Sequence, residues 1–336
     1  MTEGLLHGVR VVELLGVGPE PFAGMMLADL GADVVAYRRP GQQPGGGGLE
    51  RGRPVFEVDL KDPGTFAQVS AEIDDADVLL EGYRPGVAER LGLGPEVCMA
   101  RNPGLIYGRM TGWGQTGPLA LTAGHDLTYI AVTGALHVAT RRGQRPVPPA
   151  NLLGDFGGGG MYLVAMVLAA LVQRGRTGRG DVLDIAITDG TSYLASMLHG
   201  MRATGDWSDE AGTNLLDTGA PYYDVYPCAD GRYVAVGALE PQFFAVFADL
   251  VGLPEEVRAG RDDPARWPAL REAIGAALLA RTRDEWAELA ALTDACLAPV
   301  LDLAEAQHHP HLVARDLFED GMPRLPRGRR AAVLSV

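Results

Sequence analysis

The sequence is poor in the residues that characterise secreted, zinc-binding and nucleic-acid-binding proteins. Its 336 residues include only three cysteines, Cys98, Cys228 and Cys296, whose scattered positions match neither a zinc-binding spacing nor a disulfide framework. We expect all three in the protein core and the chain in a reducing cytoplasm. Cations are also scarce, since 29 lysines and arginines are outnumbered by 43 acidic residues and the formal net charge is −14. Nucleic-acid backbones and anionic lipid repel such a chain, so neither is an expected partner.

Long apolar runs are also missing. The longest, residues 161–172, is clearly shorter than the ~18 apolar residues that indicate a membrane span. The N-terminus has no basic region ahead of its apolar stretch and no small-residue cleavage site, so no secretory signal is expected. The sequence therefore predicts a soluble intracellular protein.

Glycine, in contrast, is abundant. It makes up 45 of the 336 residues, about 13%, against a usual share of roughly 7%. The glycines are clustered, which indicates tight turns and close contacts between backbone and ligand. The apolar share of 47% and the charged share of 21% are those of a globular protein, and the length predicts about two domains.

The first part of the chain alternates short β-branched strands with helices. This alternation predicts an α/β fold with a parallel sheet covered on both faces. The helix over 161–172 is expected to follow a glycine-rich turn and to be buried nearly all round. The predicted strands are 10–14, 33–37, 54–60, 77–82, 105–110 and 181–187. The predicted helices are 19–31, 62–74, 161–172 and 190–202.

The later part of the chain predicts a second, smaller α+β domain. Two alternating runs over 222–237 are joined by Asp230 and Gly231, a typical hairpin turn. Two amphipathic helices follow at 264–279 and 282–292, the second with Thr282 as its N-terminal cap. The predicted division is a large domain over 1–190, a linker helix and linker over 191–216, a small domain over 217–311, and a final segment, about 312–336, that completes the large domain.

The first strand is followed by a glycine-containing loop, Gly16 to Pro19, that opens a helix. A dinucleotide-binding loop has this position, but here the third glycine is missing and no acidic residue ends the second strand. A redox role is therefore disfavoured. The start of the helix could still offer free N–H groups to an anion or a thioester oxygen.

Five cations of the α/β part lie mostly at or just after predicted strand ends. In an open α/β sheet ligands bind at the carboxyl ends of the strands, so a polyphosphate ligand would explain why an acidic chain concentrates cations there. An ordinary solvated surface is the alternative reading for any one of them. The five are Arg38, Arg39, Lys61, Arg84 and Arg90.

Two residues are candidates for acid–base chemistry. His125 lies in Gly-His-Asp, and Asp155 precedes a glycine-rich stretch that leads into a long apolar helix. A histidine and a carboxylate near glycine-lined backbone are what proton transfer near neutral pH requires. Taken singly, a structural histidine and a helix-capping aspartate are the ordinary alternatives. The histidines at 308, 309 and 311 crowd around a proline and predict a turn, so no metal site is expected.

Six stretches of the sequence together resemble the family III CoA-transferases, the CaiB/BaiF family, and within it the α-methylacyl-CoA racemase branch. The resemblance covers nearly the whole chain, from about Leu5 to Leu317. The stretches are GVRVVELLGVGPEPFAGMMLADLGADVV, DVLLEGYRPGVAERLGLGP, RMTGWGQTGPLALTAGHDLTYI, NLLGDFGGGGMYL, GAPYYDVY and DACLAPV.

The resemblance implies a particular architecture and ligand. The large domain would be Rossmann-like, two linkers would join it to the small domain, and two chains would form an intertwined homodimer. The active site would lie between the large domain of one subunit and the small domain of the other. An acyl-CoA would be the substrate, so no separate cofactor is implied. The residues that match the CoA site are Val17, Arg39, Lys61, Tyr83, Arg84 and Arg90.

The resemblance also implies a reaction, the interconversion of (R)- and (S)-2-methylacyl-CoA through an enolate. His125 and Asp155 match the acid–base pair. Asn151, Asp126 and, from the other subunit, Glu240 match the groups that support the pair. Backbone N–H groups at the start of the Asp155 helix could stabilise the enolate oxygen.

Two other functions compete with racemisation. In a CoA-transferase the residue that matches Asp155 would be a nucleophile that forms an aspartyl anhydride, and a second acid would accept CoA. His125 favours the racemase, because a transferase needs no proton-transfer residue there. A catalytically silent CoA-binding protein would be expected to lose His125 or Asp155, and both are present.

Overall fold

A computed structural model describes residues 4–325 of the chain, which divides into two units. Within the described residues, the first unit comprises 4–136, 148–197 and 324–325, and the second comprises 137–147 and 198–323. The first unit carries the parallel sheet. The second is a smaller α+β unit.

Six parallel strands form the centre of the first unit. The sheet order is β3-β2-β1-β4-β5-β6, the order of a doubly wound Rossmann-type fold, in which the chain direction across the sheet reverses between β1 and β4. The predicted α/β fold is therefore confirmed. The strands are β1 (Arg10–Leu14), β2 (Asp33–Arg38), β3 (Val55–Glu57), β4 (Val78–Glu81), β5 (Ile106–Thr111) and β6 (Asp181–Ala186).

Helices cover both faces of this sheet, and a buried apolar cluster lies on each face. Most buried strand positions carry apolar side chains, as expected for a sheet buried on both sides. The buried charged side chains of the strands, Glu13, Glu81 and Arg109, are in ion pairs. The helices that begin in this unit are α1 (Pro19–Asp29), α2 (Pro63–Asp74), α3 (Val87–Arg90), α4 (Pro95–Arg101), α5 (Asp126–Val132), α6 (Ala135–Val138), α7 (Tyr162–Thr177), α8 (Ile187–Leu194) and α9 (Ser196–Thr204).

The glycine-rich stretch before α7 is helical, so the predicted turn is wrong. Leu152–Met161 forms a π-helix that continues directly into α7. The reason is close packing against two neighbours. A Cβ atom on Gly158 would lie 2.3 Å from Thr191 Oγ1 in α8, and one on Gly160 would lie 2.6 Å from Phe22 Cδ1 in α1. The glycines therefore allow three helices to approach each other closely.

The helix α7 is not buried all round, in contrast to the prediction. Leu163 and Val167 face the sheet, whereas Met161 and Val172 are about half exposed. Together with the π-helix it forms a continuous apolar helix of 26 residues, Leu152–Thr177, which by length and composition alone could cross a membrane. In this fold its inner face is part of the core beside β5, β6 and α1.

The second unit is built on a three-stranded antiparallel sheet of β7 (Tyr223–Pro227), β8 (Tyr233–Gly237) and β9 (Leu297–Pro299). The predicted hairpin and the predicted cap are confirmed, because Thr282 accepts a hydrogen bond from the N–H of Glu285. The remaining elements are α10 (Pro241–Val251), α11 (Glu255–Arg258), α12 (Trp267–Leu278), α13 (Arg283–Ala290), α14 (Leu303–Ala306), α15 (Pro310–Ala314), β10 (Phe318–Glu319) and β11 (Met322–Pro323).

The borders of the two units differ from the predicted ones in two places. Residues 137–147 group with the second unit, where Arg141 pairs with the buried Asp224 and His137 Nε2 lies 2.9 Å from the carbonyl oxygen of Asp209. Residues 312–323 also group with the second unit, although the sequence places them in the large domain. Residues 324–325 group with the first unit, and the remainder of the predicted closing segment, 326–336, lies outside the described residues.

The cysteines are unpaired, but they do not share one environment. Cys98 and Cys228 are buried in the cores of the two units, as predicted. Cys296 is exposed, with a backbone φ of 50° just before β9, so its predicted core position is wrong. This bend precedes the edge strand of a small sheet and leaves the side chain outside the core.

Candidate active site

A cavity of about 920 Å³ lies in the first unit at the carboxyl ends of the strands β1 to β5. This is the edge of a doubly wound sheet at which ligands bind. Its walls come from the loops after these strands, from residues 120–125, and from single residues of the helices behind them. Those single residues are Tyr129, Asp155 and Ile187.

Most of the predicted CoA-binding residues line this cavity. Val17, Arg39, Lys61, Tyr83 and Arg84 all do, whereas Arg90, in the last turn of α3, does not. Within residues 4–325 the side chains of Arg39, Lys61 and Arg84 form no ion pair, and all three are exposed. Arg38 also lines the cavity but pairs with Glu50 at 3.3 Å. The cavity thus has three cations that are not neutralised by these parts of the chain.

The loop after β1 is held by a buried carboxyl group. Glu20 Oε2 accepts the N–H of Gly16 at 2.7 Å, and the side chain is completely buried beside that of Glu13. Burial and the Glu13 carboxylate hold the pKa of Glu20 well above its usual range. Pro19 and Pro21 occupy the first turn of α1, and proline has no N–H to donate. Among residues 19–21, only Glu20 therefore has an N–H that could bind a ligand.

His125 is the N-cap residue of α5. Its backbone N–H donates to Thr128 Oγ1 at 3.0 Å, and its carbonyl oxygen accepts from the N–H of Thr128 at 2.8 Å. These bonds fix the backbone. The imidazole is exposed and lines the cavity.

Asp155 is the fourth residue of the π-helix, so the capping alternative considered for it is wrong. Its carboxylate lines the cavity, 3.3 Å from the point that a Cβ on Gly18 would occupy. Asn151 Nδ2 donates to Asp155 Oδ2 at 3.3 Å. Burial raises the pKa of Asp155, and the charge of Asp126 adds to this, whereas the Asn151 hydrogen bond and His125 oppose it.

Asp126 connects the two helix starts. Its Oδ1 accepts the backbone N–H of Asp155 at 2.7 Å, and its Oδ2 is buried without a hydrogen bond. The close approach requires Gly154, because a Cβ there would lie 2.4 Å from Asp126 Oδ1. The N–H of Asp155 is therefore occupied, and the enolate-stabilising role expected of this helix start does not extend to it.

Glu240 belongs to the second unit, where it is the exposed N-cap residue of α10. Its predicted function as a partner of His125 stays a prediction.

Sequence reasoning missed two aromatic residues of the cavity, Trp113 and Tyr129. Their rings meet edge to face with centroids 4.7 Å apart. No local sequence signal indicated Tyr129, because the two glycines that make room for its ring, Gly112 and Gly124, are recognised only in the folded chain. A Cβ on either glycine would lie within 2.5 Å of the Tyr129 ring.

No metal centre is formed by the described part of the chain. Residues 4–325 contain no group of three or more His, Cys, Asp or Glu side chains placed to hold a metal ion. The chemistry that this cavity offers is proton transfer between an imidazole and a carboxylate beside an anion-binding surface.

A doubly wound sheet with a histidine, a carboxylate and unpaired cations lining one cavity at its switch point is typical of an α/β enzyme. Comparison with known proteins identifies its family. The chain belongs to CoA-transferase family III, whose family model matches residues 6–324.

Two relatives are similar over most of their length. The α-methylacyl-CoA racemase of Mus musculus is 44% identical, over 98% of this chain and 87% of the mouse protein. The α-methylacyl-CoA racemase of Homo sapiens is 41% identical, over 93% of this chain and 82% of the human protein. The crystal structure of a CaiB/BaiF family protein from Brucella suis superposes with a TM-score of 0.81 at 26% identity, covering 99% of this chain and 94% of that one.

Proposed function

We propose that this protein is an α-methylacyl-CoA racemase, an isomerase that interconverts (R)- and (S)-2-methylacyl-CoA thioesters. The observation that carries the proposal is that His125 and Asp155 line one cavity together with unpaired cations. The names of the mouse and human relatives support it. The raised pKa of Asp155 also supports it, because a base of higher pKa is better matched to a weak carbon acid.

The reaction moves one proton off a carbon and returns another to its opposite face. The carboxylate of Asp155 removes the α-proton of one enantiomer, and the C–H electron pair forms an enolate with the thioester. The protonated His125 then gives its proton to the other face of the α-carbon. The residues exchange roles in the reverse direction, so each enantiomer is deprotonated by a different base. No oxidant, metal or added cofactor is needed for this balance.

The cations of the cavity would bind the phosphate groups of CoA. Arg39, Lys61 and Arg84 lie on the loops after β2, β3 and β4, and charged donors of this kind form strong bonds with phosphate. Val17 is 83% exposed within the chain and lines the cavity, so it would contact the ligand along with Tyr83. Arg90 is the weakest member of the predicted set, since it lies outside the cavity wall.

We further propose that the active form is an intertwined homodimer, to which the partner subunit contributes Glu240. Support comes from an apolar surface on the first unit. Tyr193 and Leu194 at the end of α8 and Met197 in α9 are each more than half exposed, as is Leu152. Exposed apolar patches of this kind typically mark protein interfaces. We also propose that the protein is cytoplasmic and that it binds neither membranes nor nucleic acids.

The test uses one enantiomer of a 2-methylacyl-CoA in D₂O. We expect deuterium to appear at the α-carbon together with loss of optical purity, without any acceptor acid. CoA transfer to an added carboxylate, with no exchange at the α-carbon, would overturn the proposal in favour of a family III CoA-transferase. Reaction without enzyme under the same conditions is the blank.

Two substitutions of residues beside Asp155 should shift the pH profile of kcat/KM in opposite directions. Asp126→Asn removes a charge that raises the pKa of Asp155, so the acid limb of kcat/KM should move to lower pH. Asn151→Leu removes a hydrogen bond that lowers the same pKa, so the limb should move to higher pH. We expect these shifts for the enantiomer that Asp155 deprotonates, because the activity toward that enantiomer is lost at low pH as the Asp155 carboxylate becomes protonated.

The measurement is kcat/KM against pH for each enantiomer of both variants and the wild type. Asparagine at position 126 keeps an oxygen that can accept the N–H of Asp155. A shift of both variants in the same direction would show that the acid limb does not report Asp155.

A further inference from the structure

Tyr129 carries a hydroxyl group at the wall of the candidate active site. Its side chain lines the cavity with His125 and Asp155. Within residues 4–325, no hydrogen bond to its Oη is formed. A hydroxyl left unpaired at a cavity wall is free to bond to a ligand.

The position of this hydroxyl is fixed by the surrounding residues. The Trp113 ring contacts the Tyr129 ring edge to face, with the ring planes at 84°. Gly112, which directly follows β5, provides the space for the phenol: a Cβ there would lie 2.0 Å from Tyr129 Cζ and 2.4 Å from its Oη. Gly124 makes room for the same part of the ring, since a Cβ there would lie 2.5 Å from Tyr129 Cε1. A donor held in this way is preorganised, which is the property that stabilises charge in a transition state.

The charges around Tyr129 keep it a neutral donor. Burial raises the pKa of the phenol, the carboxylate of Asp155 raises it further, and Arg84 opposes the shift. The hydroxyl therefore lies within the electrostatic influence of one of the two proposed bases.

Three of the backbone donors near the acid–base pair are already in use. The N–H of Asp155 donates to Asp126 Oδ1, and the N–H groups of Thr128 and Tyr129 donate to the carbonyl oxygen of His125. The first turn of α1 contains two prolines. An enolate oxygen formed between His125 and Asp155 thus has few backbone partners at these positions.

We propose that Tyr129 Oη donates a hydrogen bond to the thioester oxygen of the bound substrate and stabilises the enolate that forms there. This inference rests on the racemase function proposed above. When the α-proton leaves as H⁺ to a base, the C–H electron pair becomes the C=C bond and the carbonyl electron pair moves to oxygen. The Tyr129 proton stays on its own oxygen throughout, so the hydroxyl stabilises charge and does not itself transfer a proton.

The test is Tyr129→Phe, which removes the hydroxyl and keeps the ring between Trp113 and the two glycines. We expect kcat for racemisation and the rate of α-proton exchange in D₂O to fall together by about 10²- to 10³-fold, as for other single donors to an oxyanion. The KM and the Kd of CoA alone should change by less than about threefold. Tyr233→Phe, on the half-exposed edge of β8 in the second unit, is the matched control and should behave as the wild type.

Gly112→Ala gives a second, independent measurement, because its methyl group would displace the hydroxyl while the phenol is still present. It should lower kcat in the same way as Tyr129→Phe. Tyr129→Phe with wild-type exchange rates would overturn the inference but leave the racemase function intact. A wild-type enzyme that exchanges no α-proton would overturn the racemase function itself.

Discussion

Replacement of either His125 or Asp155 by asparagine is expected to abolish racemisation, with kcat lowered by about 10²- to 10⁴-fold. Asparagine is close in size to both side chains but can neither accept nor deliver the proton at neutral pH. Neither side chain supports the fold through a buried bond: the His125 ring is exposed, and Asp155 has one weak bond, at 3.3 Å from Asn151. The loss should therefore come from chemistry and leave folding unchanged.

The two variants should differ in which enantiomer still exchanges its α-proton. With Asp155→Asn, His125 remains as a base, so the enantiomer that His125 deprotonates should still take up deuterium from D₂O, with its configuration retained. With His125→Asn, Asp155 remains as a base, so the enantiomer that Asp155 deprotonates should take up deuterium with its configuration retained. The measurement follows deuterium uptake by mass spectrometry and optical purity by chiral chromatography, for each enantiomer and each variant.

Binding of CoA alone is the control for both variants, because the cations of the cavity are untouched. If one variant exchanges neither enantiomer while the other keeps both, the reaction uses a single base. If His125→Asn keeps CoA transfer to a carboxylate and Asp155→Asn loses it, Asp155 is the nucleophile of a transferase. Each result thus distinguishes one proton-transfer scheme from another.

The central sheet could be predicted from the sequence because its strands are defined by local composition. Arg10–Leu14 matches the predicted strand exactly in position, and every other strand of the sheet was predicted within a few residues. β3 is shorter than predicted, at Val55–Glu57, because it is the edge strand and pairs only with β2. Thr282 and Glu285 show the same principle for helices, since a cap depends on residues three positions apart.

The features that escaped prediction depend on contacts between distant parts of the chain. Nothing near Gly158 in the sequence indicates that Thr191 will pack against it and favour a helix over a turn. In the sequence, Tyr129 resembles an ordinary residue on the apolar face of a helix. Only the structure shows that Trp113 and Gly112 lie next to its ring. The use of the Asp155 N–H by Asp126, 29 positions away, is of the same kind. The candidate site residues could be predicted from sequence motifs, whereas their grouping in one cavity is seen only in the fold.

The helix packing behind Asp155 predicts a large effect of a single methyl group. In Gly190→Ala the new Cβ would lie 1.9 Å from the carbonyl oxygen of Gly158. Because the Cβ position is fixed by the backbone and the other atom is a backbone oxygen, no side-chain rotation can relieve the collision, and α8 must move away from the π-helix. We expect a loss of about 3 kcal/mol or more in stability, at the upper end of overpacking costs. Activity should fall as well, since Asp155 on the π-helix and Ile187 on α8 both line the cavity.

Gly175→Ala is the matched control, because the same methyl group is added to a helix where it meets nothing. Gly175 is an exposed residue of α7, and a Cβ there would have no heavy atom within 4 Å. Alanine should stabilise this helix by about 0.5–1 kcal/mol, since it loses less conformational freedom on folding than glycine. Urea denaturation followed by circular dichroism should therefore show the midpoint lowered by Gly190→Ala and slightly raised by Gly175→Ala. Equal midpoints for the two variants would mean that α8 and the π-helix are not packed as closely as described.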